Sequence, residues 1–194
     1  MRIRLSEHYS KLTLLTMTMM LCSCATLSKE ECLTGNWEAI GFSDGAAGYS
    51  AARLNSHNKA CAKTGVAANY HAWERGRQAG LKQYCTKDNA YQKGKRGYTL
   101  NAVCPADMTP LLQRINADGR AYHEAQSQLQ QTKRELEQHQ EQYRKLRDGD
   151  NLEFKSEKEA RDYLLSLPET MRIEQQRIID LQQQINSLQR QYGY

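Results

Sequence analysis

Six cysteines carry the clearest chemistry in this 194-residue chain, and they divide by position. Cys24 ends the run Leu21-Cys22-Ser23-Cys24, which follows a basic stretch (Arg2, Arg4 and Lys11 against Glu7) and an apolar one, Leu12 to Leu21. Basic, apolar and small-residue segments in that order form an export signal. A Leu three positions before a Cys, with Ser directly before it, is the pattern at which bacterial lipoprotein processing attaches a diacylglyceryl thioether. Cys22, preceded by the bulky Leu21, fits that pattern worse. The sequence therefore predicts a signal peptide over 1–23 and lipidation at Cys24. As a transmembrane anchor the apolar run is too short, because a span needs about 20 apolar residues, and Thr13, Thr16 and Thr18 make it polar. A diacylglyceryl group plus an N-acyl chain holds a protein durably on a bilayer. Ala25, where an Asp would argue for inner-membrane retention, points to the outer membrane, with the chain on its periplasmic side.

Cys32, Cys61, Cys85 and Cys104 remain, an even number in an oxidising compartment, and they predict two disulfides with three pairings open. Sequential pairing, Cys32–Cys61 and Cys85–Cys104, is preferred because neighbouring short helices pack together. Zinc-type Cys/His spacing is lacking, so no metal site is expected. Trp37, Asp44 and Trp73 are the candidates for a ligand cleft, although an Asp before Gly also serves ordinary turn and capping chemistry. His57, His71 and Glu74 are the scattered groups from which a catalytic cluster would have to be built. Arg75, Arg77 and Lys82, with Lys93, Lys95 and Arg96, would serve either as an anion site or as a solvated charged face. The nucleophile elbow, the paired-His zinc motif and the phosphate loop are all missing. Gly41-x-x-x-Gly45-x-x-Gly48 lacks the spacing of a dinucleotide fingerprint. The sequence thus names no catalytic residue and no cofactor.

The elements that must position these residues fall into two parts, divided near Cys104-Pro105. Nine of the twelve glycines and all four structural cysteines precede that point; Gln, Glu, Arg and Leu dominate after it. The first part repeats an aromatic followed by spaced glycines: Trp37…Gly41…Gly45, Trp73…Gly76…Gly80 and Tyr91…Gly94…Gly97. Glycines four apart share a helix face and admit a second backbone, while each costs about 1 kcal/mol of helix propensity relative to Ala. Such spacing predicts either tight helix crossings pinned by disulfides or turns. The Ala-rich stretches and the cap Thr86-Lys87-Asp88 favour short helices.

The order Cys32, Trp37, Ile40-Gly41-x-x-Asp44-Gly45-x-x-Gly48, Ala60-Cys61, Gly76-x-x-x-Gly80-Leu81-x-x-Tyr84-Cys85, Gly94-x-x-Gly97-Tyr98 and Val103-Cys104-Pro105 resembles a family of Gram-negative lipoproteins. That family is defined by a domain of unknown function, the one numbered 2799. The resemblance covers residues 24–105. It implies a small exported lipoprotein and carries no catalytic or binding residue across.

The second part, 106–194, reads as a helical hairpin. Ile115, Tyr122, Leu129, Leu136 and Tyr143 recur every seven residues, with Ala125, Thr132 and Leu146 as weaker partners. Asp148-Gly149-Asp150-Asn151 breaks the pattern, and Ser156-Glu-Lys-Glu159 restarts it with a capping box. Leu164, Leu167, Met171, Ile178, Leu181, Ile185, Leu188 and Tyr192 then follow three- and four-residue steps, with Glu174 the one charged member. That is a heptad seam. Pro168 suits a first helical turn and would kink an interior.

The expected fold is mainly α: a disulfide-stapled, Gly-rich helical module over 24–105 and a long antiparallel helical hairpin or coiled coil over 106–194. The formal net charge of +5 is partly carried by the signal, and the basic residues never run as a block, which argues against nucleic acid. The expected role is a non-enzymatic envelope protein. It would be held on the membrane by its lipid and would engage a protein partner, or itself, through 106–194. The alternative is a ligand-binding or hydrolytic cleft around Trp37, Asp44 and Trp73.

Overall fold

A computed structural model of the chain describes residues 26–149 and 154–192; the expected signal peptide over 1–23 and the expected lipidation site Cys24 lie outside the described residues. Those residues form α1 (Lys29–Thr34), α2 (Trp37–Ala47), α3 (Arg53–Cys61) with a short 3-10 turn after it, α4 (Tyr70–Tyr84), α5 (Lys87–Lys95), α6 (Thr109–Arg147) and α7 (Glu157–Tyr192). The fold is mainly helical, as the sequence predicts, with no strand among the described residues. No helix among the described residues is long and apolar enough to cross a membrane.

Local chemistry starts and stops these helices. Ser28 and Glu31 form a reciprocal capping box at α1, and Asn36, Asn69 and Thr86 each accept a backbone N–H at the start of α2, α4 and α5. Gly35 and Gly48 close α1 and α2 at φ of 62° and 78°, a left-handed conformation that favours glycine.

The aromatic-glycine repeats form two tight helix crossings. In the first, α2 lies on α4, glycine face to glycine face. A Cβ added at Gly41 or Gly45 would overlap the Trp73 or Arg77 carbonyl, and one added at Gly76 or Gly80 would overlap the carbonyl of Glu38 or Phe42. In the second, Gly94 of α5 meets Asn116 and Gly119 of α6 backbone to backbone. Each crossing has its own core. One gathers Leu27, Cys32, Trp37, Leu54, Cys61 and Trp73. The other gathers Leu81, Tyr84, Cys85, Ala90, Tyr91, Leu100, Leu112 and Ile115. The helix α4 runs through both, with Trp73 in the first and Leu81 and Tyr84 in the second.

The disulfides follow the sequential pairing: Cys32–Cys61 and Cys85–Cys104, each with Cα atoms 5.5 Å apart. Each core holds one bridge. In the chain-entropy account each stabilises by about 3 kcal/mol.

The module does not end at Pro105. Leu112, Ile115, Asn116 and Gly119, on the first turns of α6, pack into the second core. Asn116 is 2 % exposed and fully used: its Nδ2 donates to the carbonyls of Ala90 and Tyr98, and its Oδ1 accepts from Leu100 N–H. Beyond Gly119 the same helix becomes the first arm of the hairpin. Ala125 and Leu129 of α6 then pack on Leu181 and Ile185 of α7. At 1.5 Å per residue the 39-residue α6 is about 58 Å long.

The heptad seam stands as spaced in the sequence, and its charged member Glu174 is buried against His139, with Oε1 2.8 Å from Nδ1. Ser156 caps α7 by accepting from Glu159 N–H, but the Glu159 carboxylate turns to Lys155 N–H rather than back to Ser156. Pro168 sits inside α7, which runs through it. The end of α7 returns to the module, where Tyr192 stacks on Tyr91 at 4.3 Å and donates to the Asp118 carboxylate.

Candidate functional site

Asp44 is neither in a loop nor a cap. It lies in the last turns of α2, 6 % exposed, with its carboxylate turned toward α3 and α4. Two donors converge on one oxygen: Trp73 Nε1–H at 2.8 Å and His57 Nε2 at 2.6 Å, both on Oδ2. The other oxygen, Oδ1, is 3.5 Å from Arg53 Nε. A buried carboxylate needs such partners because an unpaired charge in a core costs several kcal/mol. The glycine crossing brings them together. Gly41 and Gly45 let α4 approach closely enough for Trp73 to reach across to α2, and Leu54 and Cys61 bury α3 so that His57 reaches the same oxygen.

With one ring nitrogen, Nε2, on Asp44, the other, Nδ1, faces Thr26 Oγ1 at 2.9 Å. Carboxylate, imidazole and hydroxyl thus lie in line, the order of a nucleophile-activating relay. His57 is 1 % exposed, so the same line also fastens the segment at Thr26 to α2 and α3. A cavity of about 470 Å³ opens beside it, lined by Thr26, Glu30, Glu31, Asn36, Ser43, Asp44 and His57 among others. Ser28, by donating its backbone N–H and pairing its hydroxyl with Glu31, holds that carboxyl below the usual range.

The expected cleft around Trp37, Asp44 and Trp73 takes a different form. Asp44 lines the cavity, while Trp37 and Trp73 are core residues at 5 % and 0 % exposure and line no part of it. The group His57, His71 and Glu74 is split. His57 joins Asp44, His71 is exposed and edge-on to Tyr70, and Glu74 receives Arg77 through two hydrogen bonds of 2.7 Å. That fork holds the Glu74 carboxyl below its ordinary value and raises the Arg77 guanidinium above its own. Of the expected basic residues, Arg75 and Lys82 line one shallow surface pocket with Glu74, and Arg75 pairs with Glu38, while Lys93 lies over the Tyr84 ring and Lys95 over the rings of Tyr91 and Tyr122.

Thr26 and Arg53 were not legible as members of this cluster. Thr26 is 31 positions from His57 in the chain, and nothing in its sequence context marks it. Arg53 follows Ala51-Ala52 as an ordinary helix opening, and only the fold shows its guanidinium over Tyr49 at 4.2 Å and beside Asp44.

No curated protein and no solved structure matches the chain. Residues 36–121 match the model of a family described as a protein of unknown function (DUF2799), a stretch that runs from the N-cap of α2 through the glycine crossings into the first turns of α6.

Proposed function

We propose that this protein is a lipid-anchored envelope lipoprotein with a non-enzymatic role, in which the disulfide module sits at the outer membrane and the hairpin reaches to a protein partner. The observation that carries this reading is the continuity of α6, one helix that belongs to the module core at its start and to the hairpin seam farther on. A helix shared by two cores is a rigid arm rather than a tethered appendage. The lipoprotein pattern ending at Cys24 supplies the anchor in this reading.

The test has two parts. Mass spectrometry of the mature N-terminus should find a triacylated Cys24; an unmodified Cys24, or a chain beginning at Met1, ends the lipoprotein reading. In cells, deleting residues 133–146 together with 164–177 removes two heptads from each arm, keeps the seam in register and shortens the reach by about 21 Å. Cross-linked partners of the hairpin tip should be lost while the module stays folded. An unchanged set of partners ends the interaction reading.

A second reading rests on the line Thr26–His57–Asp44 beside its cavity: a hydrolase that uses the Thr26 hydroxyl. Its signature is labelling of Thr26 by an organophosphonate, abolished by His57→Gln. An unlabelled Thr26 leaves the line as a structural latch.

A further inference from the structure

The chain is fastened into the module almost from the expected lipidation site onward. Thr26, two positions after Cys24, has its Oγ1 2.9 Å from Nδ1 of the buried His57. Leu27 is 8 % exposed and belongs to the first core. Ser28 closes the capping box of α1, and Cys32 ties that helix to α3 through Cys61. Thr26 therefore moves with the module as one body.

Very little chain is left to separate the module from a lipid. A diacylglyceryl thioether at Cys24 would fix that residue in the headgroup layer, which is about 5–7 Å thick on each side of a bilayer. Two residues of fully extended chain span at most about 7 Å. A rigid module on so short a tether has to rest on the headgroups with the surface beside Thr26. That surface includes α1, which begins three positions later and shares with Thr26 the wall of one cavity.

The exposed sides of α1 differ in character. Glu30, Glu31 and Thr34 line the cavity beside His57, and lipid phosphates would repel the carboxylates on that side. Lys29 and Leu33, one turn apart, share another side and line no part of the cavity. Leu33 is 58 % exposed. An aliphatic group beside a lysine suits the edge of a bilayer, where the first enters the interface and the ammonium stays with the phosphates. One leucine offers far too little apolar surface to hold a domain on a membrane. The tether, and not an affinity of α1, has to make the contact.

We infer that α1 is the lipid-contact face of the module, and that the two-residue tether from Cys24 holds Lys29 and Leu33 against phospholipid headgroups. This rests on the lipoprotein reading and deepens it by naming the face and what covers it.

The test compares two proteins purified from cells and placed in nanodiscs of phosphatidylethanolamine and phosphatidylglycerol. One is the unmodified protein. The other carries a Gly/Ser insert of about 20 residues between Ala25 and Thr26, which lengthens the tether to an average span of about 25 Å. Both are treated briefly with a water-soluble acetylating reagent, and modification of Lys29 is read by mass spectrometry. Lys29 should react several-fold more slowly in the unmodified protein than in the one with the long tether. The same spectra report the acyl chains on Cys24. An unmodified Cys24 ends the lipoprotein reading and this inference with it, whereas equal Lys29 rates in two triacylated proteins overturn this inference alone. Equal and fast rates would mean that α1 stands free of the bilayer. Equal and slow rates would mean that a protein surface, a second copy included, covers α1 in place of lipid.

Discussion

At the scale of single residues, Asp44 has the most to lose. Asp44→Ala removes the acceptor of two buried donors, Trp73 and His57, and each orphaned group costs roughly 1–3 kcal/mol. Urea unfolding should show a loss of about 3 kcal/mol, and Trp73→Phe, which removes one donor and keeps the ring, a smaller one. Gly41→Ala gains helix propensity yet forces a methyl into the Trp73 carbonyl, so it should destabilise by about 1–3 kcal/mol despite that gain. A neutral Gly41→Ala would mean that α2 and α4 separate easily. The glycine spacing was legible as either a helix crossing or a turn, and the fold takes the crossing, where glycines four apart share one helix face. Asp44 was legible as a candidate but not in its role: Asp-Gly reads as a turn, and only the partner helices, 13 and 29 residues away, convert it to a core acceptor.

Among the elements, α7 was the best marked in the sequence, because a heptad seam is a long periodic signal, and Ile178, Leu181 and Ile185 of it pack on α6 while Tyr192 packs on the module. Its one polar pair is the exception that can be measured. Glu174 Oε1 meets His139, but Oε2 is buried with no hydrogen-bond partner among the described residues. A half-satisfied buried pair is often no better than an apolar one. The double substitution His139→Leu with Glu174→Leu should therefore raise the melting temperature, and His139→Leu alone should lower it by leaving the carboxylate uncompensated. Equal melting temperatures for all three proteins would show that water satisfies the pair. Less legible was the start of α6. The change of composition at Pro105 is real, yet Leu112 and Ile115 continue the apolar pattern of the hairpin and carry no mark that assigns them to the module instead.

For the whole molecule, that shared helix means that the chain cannot be cut where its composition changes. A fragment ending at Pro105 loses Leu112, Ile115, Asn116 and Gly119 and should show broad, unfolded resonances, whereas one ending near Gln126 should fold. A folded fragment ending at Pro105 would make the second core dispensable. The closure at the other end of the hairpin has its own pH signature. Burial first, then the Asp118 carboxylate, pushes the Tyr192 phenol up to about 12, above its ordinary 10. The unfolded chain then loses that proton earlier than the folded one. Stability is full below about pH 10 and falls as pH rises from 10 toward 12. Tyr192→Phe should flatten that part of the pH–stability curve.

The two bridges join cysteines that follow one another along the chain, Cys32 to Cys61 and Cys85 to Cys104. A polypeptide that crosses a membrane N-terminus first presents its thiols in that order. If the chain is exported and lipidated at Cys24 as proposed, an oxidase that couples each new thiol to the last unpaired one makes the native pairs as they arrive. Nothing has to be reshuffled. Oxidative maturation should therefore proceed at full yield in cells that lack a disulfide isomerase and stop in cells that lack the oxidase.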